Sequence, residues 1–424
     1  MEQIREWIKV REVATEGGCV TVRFDVSEGL AAYFADAREL RTDYNLDLTG
    51  LPASVAVIPF VCNVLPIVWL TDATLKLDSI DSDFYGHIDD IRGGYEAMYP
   101  MLHFGGRVEA RPETCRHEKD GSAALFSGGV DSFATLYRHL DEHPALVTLW
   151  GSDITLDDTD GWAEVRAHAE DTARQHGLRN VFVKTGFREF INTGALDRLV
   201  AAAGDGWWHG LQHGIGILGH VAPVARAMEL TRVYIASSFT EADKGTYTVA
   251  SDPTIDNHVH YCGARAVHDG YELERQAKVD LICREAERTG IYPAIHVCWE
   301  SAGGRNCCQC EKCLRTIYSI VAAGGRPADF GFDITARQWR RSRAVVLGSM
   351  RPSYCLKWRV IQERLRTLPR EDVPEGAQWL LKYDLDRYDR SWPVRRKRLL
   401  AWAVYAVRYP VGKTLRLLGL RGRE

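Results

Sequence analysis

The spacing of apolar positions changes character near residue 120. From Ser122 onward, short apolar runs are separated by segments of helical periodicity: Ala123-Ala-Leu-Phe, Ala145-Leu-Val-Thr-Leu-Trp, Asn180-Val-Phe-Val-Lys and Arg232-Val-Tyr-Ile-Ala. Strands joined through helices predict βαβ units and a parallel sheet, because a parallel neighbour needs a crossover connection. Helical patterns fall at 133–140, 272–289 and 311–323. Residues 1–115 lack the alternation and predict a mixed α+β domain, with a β-rich run at Cys19-Val-Thr-Val-Arg-Phe-Asp-Val and a helical pattern at 85–99. Within it, 51–70 carry no charge and are nominally long enough to span a bilayer. Pro52, Pro59, Asn63 and Pro66 interrupt that stretch, so two buried strands, or a strand and a loop, are predicted instead of one helix. The polar, turn-rich stretch 105–121 reads as a linker. Past about 330 the chain becomes Arg- and Trp-rich and the alternation stops, which gives three regions: 1–115, 120–325 and an extension at 326–424.

Composition places the chain among folded proteins: of 424 residues, 46% are apolar and 26% charged, with 37 Gly and 15 Pro. Collagen-like, mucin-like and mainly disordered chains are excluded. Lys and Arg number 53 against 57 Asp and Glu, and a net charge of −4 argues against a generic nucleic-acid coat. The charge is segregated, since 392–424 hold nine Lys or Arg and one acidic residue, a local +8 that leaves −12 for the rest. There Arg395-Arg-Lys-Arg precedes Leu399-Leu-Ala-Trp-Ala-Val-Tyr-Ala-Val, too short to cross a bilayer but suited to lie peripherally on an anionic inner membrane surface. A helix packed on the protein's own acidic body is the alternative. The start, Met1-Glu-Gln-Ile-Arg-Glu-Trp-Ile, has neither the basic nor the apolar segment of a secretory signal, so a cytoplasmic protein is expected.

Ser127-Gly128-Gly129-Val130-Asp131-Ser132 lies directly between the strand at Ala123 and the helix at Phe133. Two glycines let the backbone turn so that successive N–H groups face one anion, the hydroxyls of Ser127 and Ser132 add donors, and the helix presents its N-terminus. No Gly-Lys-Ser/Thr follows, so this is not a Walker A loop. The hexapeptide resembles the PP-loop of the ATP pyrophosphatase superfamily. That resemblance implies a Rossmann-like adenine-nucleotide alpha-hydrolase fold, a parallel sheet with helices on both faces, between the N-terminal mixed domain and a C-terminal helical extension. It also implies cleavage of ATP between its α and β phosphates, with Ser127, Gly128, Gly129, Val130, Asp131 and Ser132 on the phosphates. Asp131 and Ser132 would be catalytic, Asp131 also placing Mg²⁺, and the adenine would lie near 149–152, on Gly151.

Eleven cysteines are present, five of them between Cys298 and Cys313. Cys298, Cys307, Cys310 and Cys313 give C-x8-C-x2-C-x2-C, a thiolate set for a closed, structural Zn²⁺ site, with Cys308 spare. The loop and the cysteines in this order resemble 7-cyano-7-deazaguanine synthase and its relatives, over about 122–321. A weaker resemblance runs through Gly216-Ile-Leu-Gly-His-Val-Ala-Pro-Val, Tyr234-Ile-Ala-Ser-Ser-Phe-Thr and Asp256-Asn-His-Val, which are similar to the ATP-dependent epimerase of the terminal glutamate in the UDP-N-acetylmuramoyl dipeptide.

Other features carry competing readings. Gly214-Ile-Gly216-Ile-Leu-Gly219 matches G-x-G-x-x-G but follows no strand, and small residues letting a helix approach the sheet account for it. His209 and His213 read as packing or hydrogen-bonding groups. Arg275 and Lys278 share a helix face, as a clamp for a phosphate or carboxylate or as a solvated face. Ser237 and Ser238 stand at a strand end where α/β sheets place ligands, and the loop holding Asp252 would close over the substrate.

The expected function is thus an ATP-dependent enzyme that adenylylates a carboxyl or amide-like oxygen of a small molecule, with ATP, Mg²⁺ and Zn²⁺. A glutamate epimerase and a tRNA-modifying enzyme are the alternatives, though low charge and the lack of an RNA-binding module argue against a nucleic-acid partner.

Overall fold

A computed structural model describes residues 6–115, 120–244, 248–298, 300, 305–350 and 352–385; the basic segment 392–424 lies outside them. Eleven strands are found there: β1 (Trp7–Glu16), β2 (Cys19–Val26), β3 (Glu39–Tyr44), β4 (Thr74–Asp81), β5 (Arg107–Glu113), β6 (Gly121–Leu125), β7 (Ala145–Trp150), β8 (Asn180–Thr185), β9 (Leu230–Ala236), β10 (His260–Tyr261) and β11 (Ala264–Asp269). The helices are α1 (Ala53–Ala56), α2 (Ile58–Leu70), α3 (Ser82–Met98), α4 (Val130–Arg138), α5 (Thr159–His176), α6 (Thr193–Leu199), α7 (His213–Gly219), α8 (Ala222–Met228), α9 (Pro253–Asp256), α10 (Arg275–Thr289), α11 (Glu311–Ala322), α12 (Ala336–Ser349), α13 (Pro352–Leu365) and α14 (Gln378–Lys382).

All eleven strands join one mixed sheet in the order β10-β11-β9-β6-β7-β8-β3-β2-β1-β4-β5. The run β11-β9-β6-β7-β8 is parallel, as the alternation of strands and helices predicts. β3 then pairs antiparallel with β8 and carries the sheet across the 115–120 boundary into the N-terminal region. Side chains alternate between two apolar clusters: Ala123, Val147, Val181 and Val233 face one, with α2, α7 and α8. Ala124, Leu146, Phe182 and Tyr234 face the other, with α4, α10 and α11. Because successive strand residues point to opposite faces, helices cover both sides of the parallel run.

Two expectations for the N-terminal region are corrected. Within 51–70 the chain forms helices, not strands: α1 spans Ala53–Ala56, α2 runs unbroken from Ile58 to Leu70, and every residue from Ile58 to Trp69 is buried. Pro59 sits in its first turn, where no N–H bond is lost, and Pro66 is accommodated inside the helix. Asn63 is buried and fully used, donating to the Pro59 carbonyl at 2.8 Å and accepting from the Gln212 amide at 2.8 Å. Thirteen residues reach only about 20 Å, and no helix among the described residues is long and apolar enough to cross a membrane. Two glycines of the G-x-G-x-x-G match let α7 approach α2 and not the sheet, since a Cβ at Gly219 would stand 2.6 Å from Cys62 and one at Gly216 the same distance from Asn63, while Gly214 approaches Asp256 and the Ala250 carbonyl.

Within the supposed linker, 107–113 form β5, the sheet's edge, parallel to β4. Arg107, Glu109, Arg111 and Glu113 alternate along it in ion pairs, and a charged edge resists pairing with another chain.

Candidate functional site

The chain order β6, β7, β8 runs outward in one direction, whereas β9 returns to the other flank of β6. The order therefore reverses at β6, and open parallel sheets bind ligands beyond the strand ends at such a reversal. Residues 127–129 leave β6 there and turn into α4, whose N-cap is Gly129. Gly128 has φ +72°, in the left-handed region that glycine alone enters at low cost. A Cβ on it would also stand 2.6 Å from the His168 ring. The Gly128 carbonyl accepts from the His296 N–H at 2.7 Å, tying the loop to the segment before the cysteines. Ser132 Oγ donates to the Gly129 carbonyl at 3.1 Å and lies 3.4 Å from Ser127 Oγ. The N–H groups of Val130, Asp131 and Ser132 open α4 and have no acceptor within the helix. Burial holds the neighbouring His168 ring neutral, its pKa lowered to about 4, and lowers that of His296 as well.

Asp131 meets Arg275 Nη1 and Lys278 Nζ, each at 3.1 Å. Burial would raise the Asp131 pKa, but the charges of Arg275 and then Lys278 outweigh it and hold the carboxyl at about 2. The two cations of α10 are thus not a solvated face: both point at Asp131 of the loop. Lys278 is almost fully buried and donates as well to the Ser237 carbonyl.

Three more cations gather here that the sequence did not single out: Lys312 and Arg315 on α11 and Lys357 on α13. Burial lowers the pKa of all three, and like charge adds to it: Arg275 acts on Lys312 and Arg315, and Arg315 with Arg275 on Lys357. A charged residue within the buried face of α11, Arg315, was the available signal; the approach of α13 had none.

The remaining predicted residues have varied placements. Gly151 has φ +103° and touches the end of β8, where a Cβ would meet the Thr185 carbonyl at 1.9 Å. Ser237 spends its hydroxyl on the Phe239 carbonyl at 2.6 Å, and Ser238 is exposed. Asp252 caps α9, accepting from the Thr254 N–H at 2.9 Å and hydroxyl at 2.6 Å. Beside it, at the end of β11, Asp256 Oδ2 accepts from Ser251 Oγ at 2.7 Å and faces Nδ1 of the buried His268 at 2.8 Å.

The sulfurs of Cys298, Cys307, Cys310 and Cys313 all lie within 4.8 Å of one another. Cys298 and Cys310 are 4.0 Å apart, Cys307 and Cys313 3.9 Å. Tetrahedral Zn–S bonds of about 2.3 Å put sulfurs about 3.8 Å apart, so the donor set fits zinc and leaves no open position. Backbone N–H groups of Cys310 and Cys313 point at the sulfurs of Cys307 and Cys310, at 3.3 and 3.4 Å. Cys308 lies at φ +54° in the turn between ligands, outside the cluster. Cys310 is also the N-cap of α11, so the cluster fixes the helix that carries Lys312 and Arg315.

Comparison of the chain with protein-family models, curated proteins and solved structures returned no match.

Proposed function

We propose that the chain is an AMP-forming ATP pyrophosphatase with a Rossmann-like PP-loop fold that adenylylates a carboxyl or amide-like oxygen of a small molecule. The observation that carries this reading is the 127–132 loop, left-handed at Gly128, leaving β6 where the strand order reverses and facing the cations of α10 and α11. In the reaction a substrate oxygen attacks the α-phosphorus of ATP, the α–β anhydride bond breaks, pyrophosphate leaves, and a second step releases AMP.

The open N–H groups of α4 and the hydroxyls of Ser127 and Ser132 hold the phosphates. Arg275 and Lys278, already aligned by Asp131, neutralise charge developing on the leaving pyrophosphate. Mg²⁺ supplies further charge neutralisation when bound with ATP. The adenine lies against the turn at Gly151. Zinc at the four cysteines ties Cys298 to the 305–313 turn and α11 and takes no part in the chemistry.

Incubation of the pure protein with ATP, Mg²⁺ and panels of carboxylates and amides, with tRNA in a parallel arm, tests the reading. AMP and pyrophosphate are expected from a small-molecule arm; ADP and phosphate would refute it, and turnover with tRNA alone would select the nucleic-acid-modifying alternative.

A second reading of the step after adenylylation is favoured by the Asp256–His268 pair. Asp256 orients Nδ1 of the ring, which leaves Nε2 to accept a proton. Adenylylation of an α-carboxyl acidifies the neighbouring C–H; loss of that proton to Nε2, delivery of a solvent-derived proton to the opposite face and hydrolysis of the adenylate by water to carboxylate and AMP would invert a glutamate in a cell-wall precursor.

A further inference from the structure

Arg315 is buried, with 7% of its side chain exposed, yet its donors are largely unused. Nη2 lies 3.7 Å from Glu311 Oε2, whereas Nε and Nη1 meet no acceptor among the described residues. Glu311 is a partial partner at best, since its Oε1 accepts from Trp358 Nε1 at 3.1 Å. Arg275 repeats the pattern: Nη1 is on Asp131, and Nε is shielded without an acceptor. Buried donors left empty are costly, and native proteins fill them. The third cation is Lys357, whose ammonium stands 5.9 Å from the centre of the Phe239 ring, next to Ser237 and Ser238 at the end of β9. Carboxylates in the neighbourhood are too few to match these cations: Asp131 is shared between Arg275 and Lys278, Asp243 is held by the Thr240 N–H and hydroxyl at 3.0 Å each, and Asp153 is exposed. The Tyr354 ring covers one face of the Arg315 guanidinium at 5.2 Å, leaving its edge as the donor surface.

We propose that Arg275, Arg315 and Lys357 form a polyphosphate subsite that receives the β and γ phosphates of the nucleotide and retains pyrophosphate after cleavage. A singly charged carboxylate would leave mutual repulsion among three cations in place. A multiply charged anion with many acceptor oxygens removes it and matches the fork of an arginine. The region after 326 thereby becomes part of the site, because α13 supplies Lys357. The inference rests on the reading of 127–132 as a phosphate cradle, and the test below separates the two.

Binding of pyrophosphate, ATP and AMP to the full-length protein is measured by calorimetry, with the Trp358 environment as a fluorescence reporter and thermal unfolding as a second readout. Arg315 sits in a packed helix, so half-buried Lys357 carries the test. Lys357→Gln is expected to weaken pyrophosphate and ATP at least about fivefold and AMP by less than that, as loss of one charge-assisted contact implies. The ligand-free variant should melt no lower than wild type, because a repelling charge is gone, and should lose part of the rise in Tm that pyrophosphate gives. Lys357→Arg should restore binding. A loss under about fivefold for pyrophosphate, an equal loss for AMP, or wild-type protein that does not bind pyrophosphate overturns the subsite. Gly128→Ala separates the readings: if it spares pyrophosphate binding that Lys357→Gln removes, the subsite stands and the cradle falls, and the opposite pattern keeps the cradle and removes the subsite.

Discussion

Oδ1 of Asp131 lies 3.1 Å from Nζ of Lys278, and Lys278 has only 3% of its side chain exposed. One carboxylate in the first turn of α4 therefore neutralises a cation that α10 holds inside the protein. Removing it does two things. Turnover should fall by about a hundredfold or more, as loss of a charge-positioning group commonly costs. Stability should fall as well, by about 3–5 kcal/mol, because an unpaired buried charge remains. Asp131→Asn and Asp131→Ala, followed by AMP release and by urea unfolding, measure both. A residue that served the loop alone would lower activity and leave the unfolding midpoint unchanged.

The same pair fixes a pH dependence. The folded Asp131 carboxyl, at about 2, lies below its ordinary value of 3.8, so the folded state favours the ionised form. Its contribution is present above the unfolded value and is lost as pH falls through the folded one, between about 4 and 2; a shift of this size corresponds to about 2–3 kcal/mol. Unfolding free energy measured across that window should drop more steeply for wild type than for Asp131→Asn. Parallel curves would mean that the two cations are not in contact with the carboxylate.

What was legible in the sequence followed local rules. β6, β7, β8 and β9 are short apolar runs bounded by turns, and the loop before α4 announces itself by two glycines and two hydroxyls in one strand–helix junction. The four cysteines likewise declare their cluster by spacing. α2 was misread because proline is judged by its intrinsic cost, whereas Pro59 falls in a first turn and Pro66 is carried by a helix buried on every side. The edge strand β5 was missed because alternating Arg and Glu look like a solvated linker until β4 supplies a partner. The cations of α11 and α13 belong to the site only through tertiary packing, and no periodicity signals that.

The cysteine cluster predicts about one zinc per chain in protein as prepared, measurable by metal analysis. Cys310→Ser should lose the metal and about half or more of the soluble yield, since structural zinc binding is folding free energy. Cys308→Ser should keep both, because Cys308 lies outside the cluster. Equal metal content in both variants would refute the ligand assignment.

Under the proposed function, zinc removal should also weaken ATP binding. Cys310 caps α11, and Lys312 and Arg315 follow within that helix's first two turns, so a loosened cluster misplaces two cations at once. Treatment with a high-affinity chelator is expected to raise the Kd for ATP at least about tenfold, with readdition of zinc restoring it. Unchanged ATP affinity in metal-free, folded protein would show that α11 holds its place without the cluster.

If an adenylate forms as proposed, its fate turns on the pair at the end of β11. Asp256 takes up both Ser251 Oγ and the His268 ring on one oxygen, while its other oxygen is buried without a partner and stands 2.4 Å from where a Cβ on Gly214 would be. The carboxylate can thus act only through His268, as a positioning group that keeps the proton on Nδ1. With a UDP-N-acetylmuramoyl dipeptide ending in glutamate, ATP and Mg²⁺ in deuterated water, an epimerising enzyme incorporates deuterium at the glutamate α-carbon, whereas capture of the adenylate by a nucleophile does not. If the epimerising reading holds, His268→Asn should lower deuterium incorporation by about a hundredfold or more, within the range of a lost general base, and leave AMP formation within about threefold. Asp256→Asn should reduce the same step while leaving AMP formation within about threefold, a split that a purely structural role would not produce. Deuterium incorporation unchanged in His268→Asn would remove this pair from the chemistry, and AMP formation without any incorporation in wild type would assign the adenylate to nucleophilic capture.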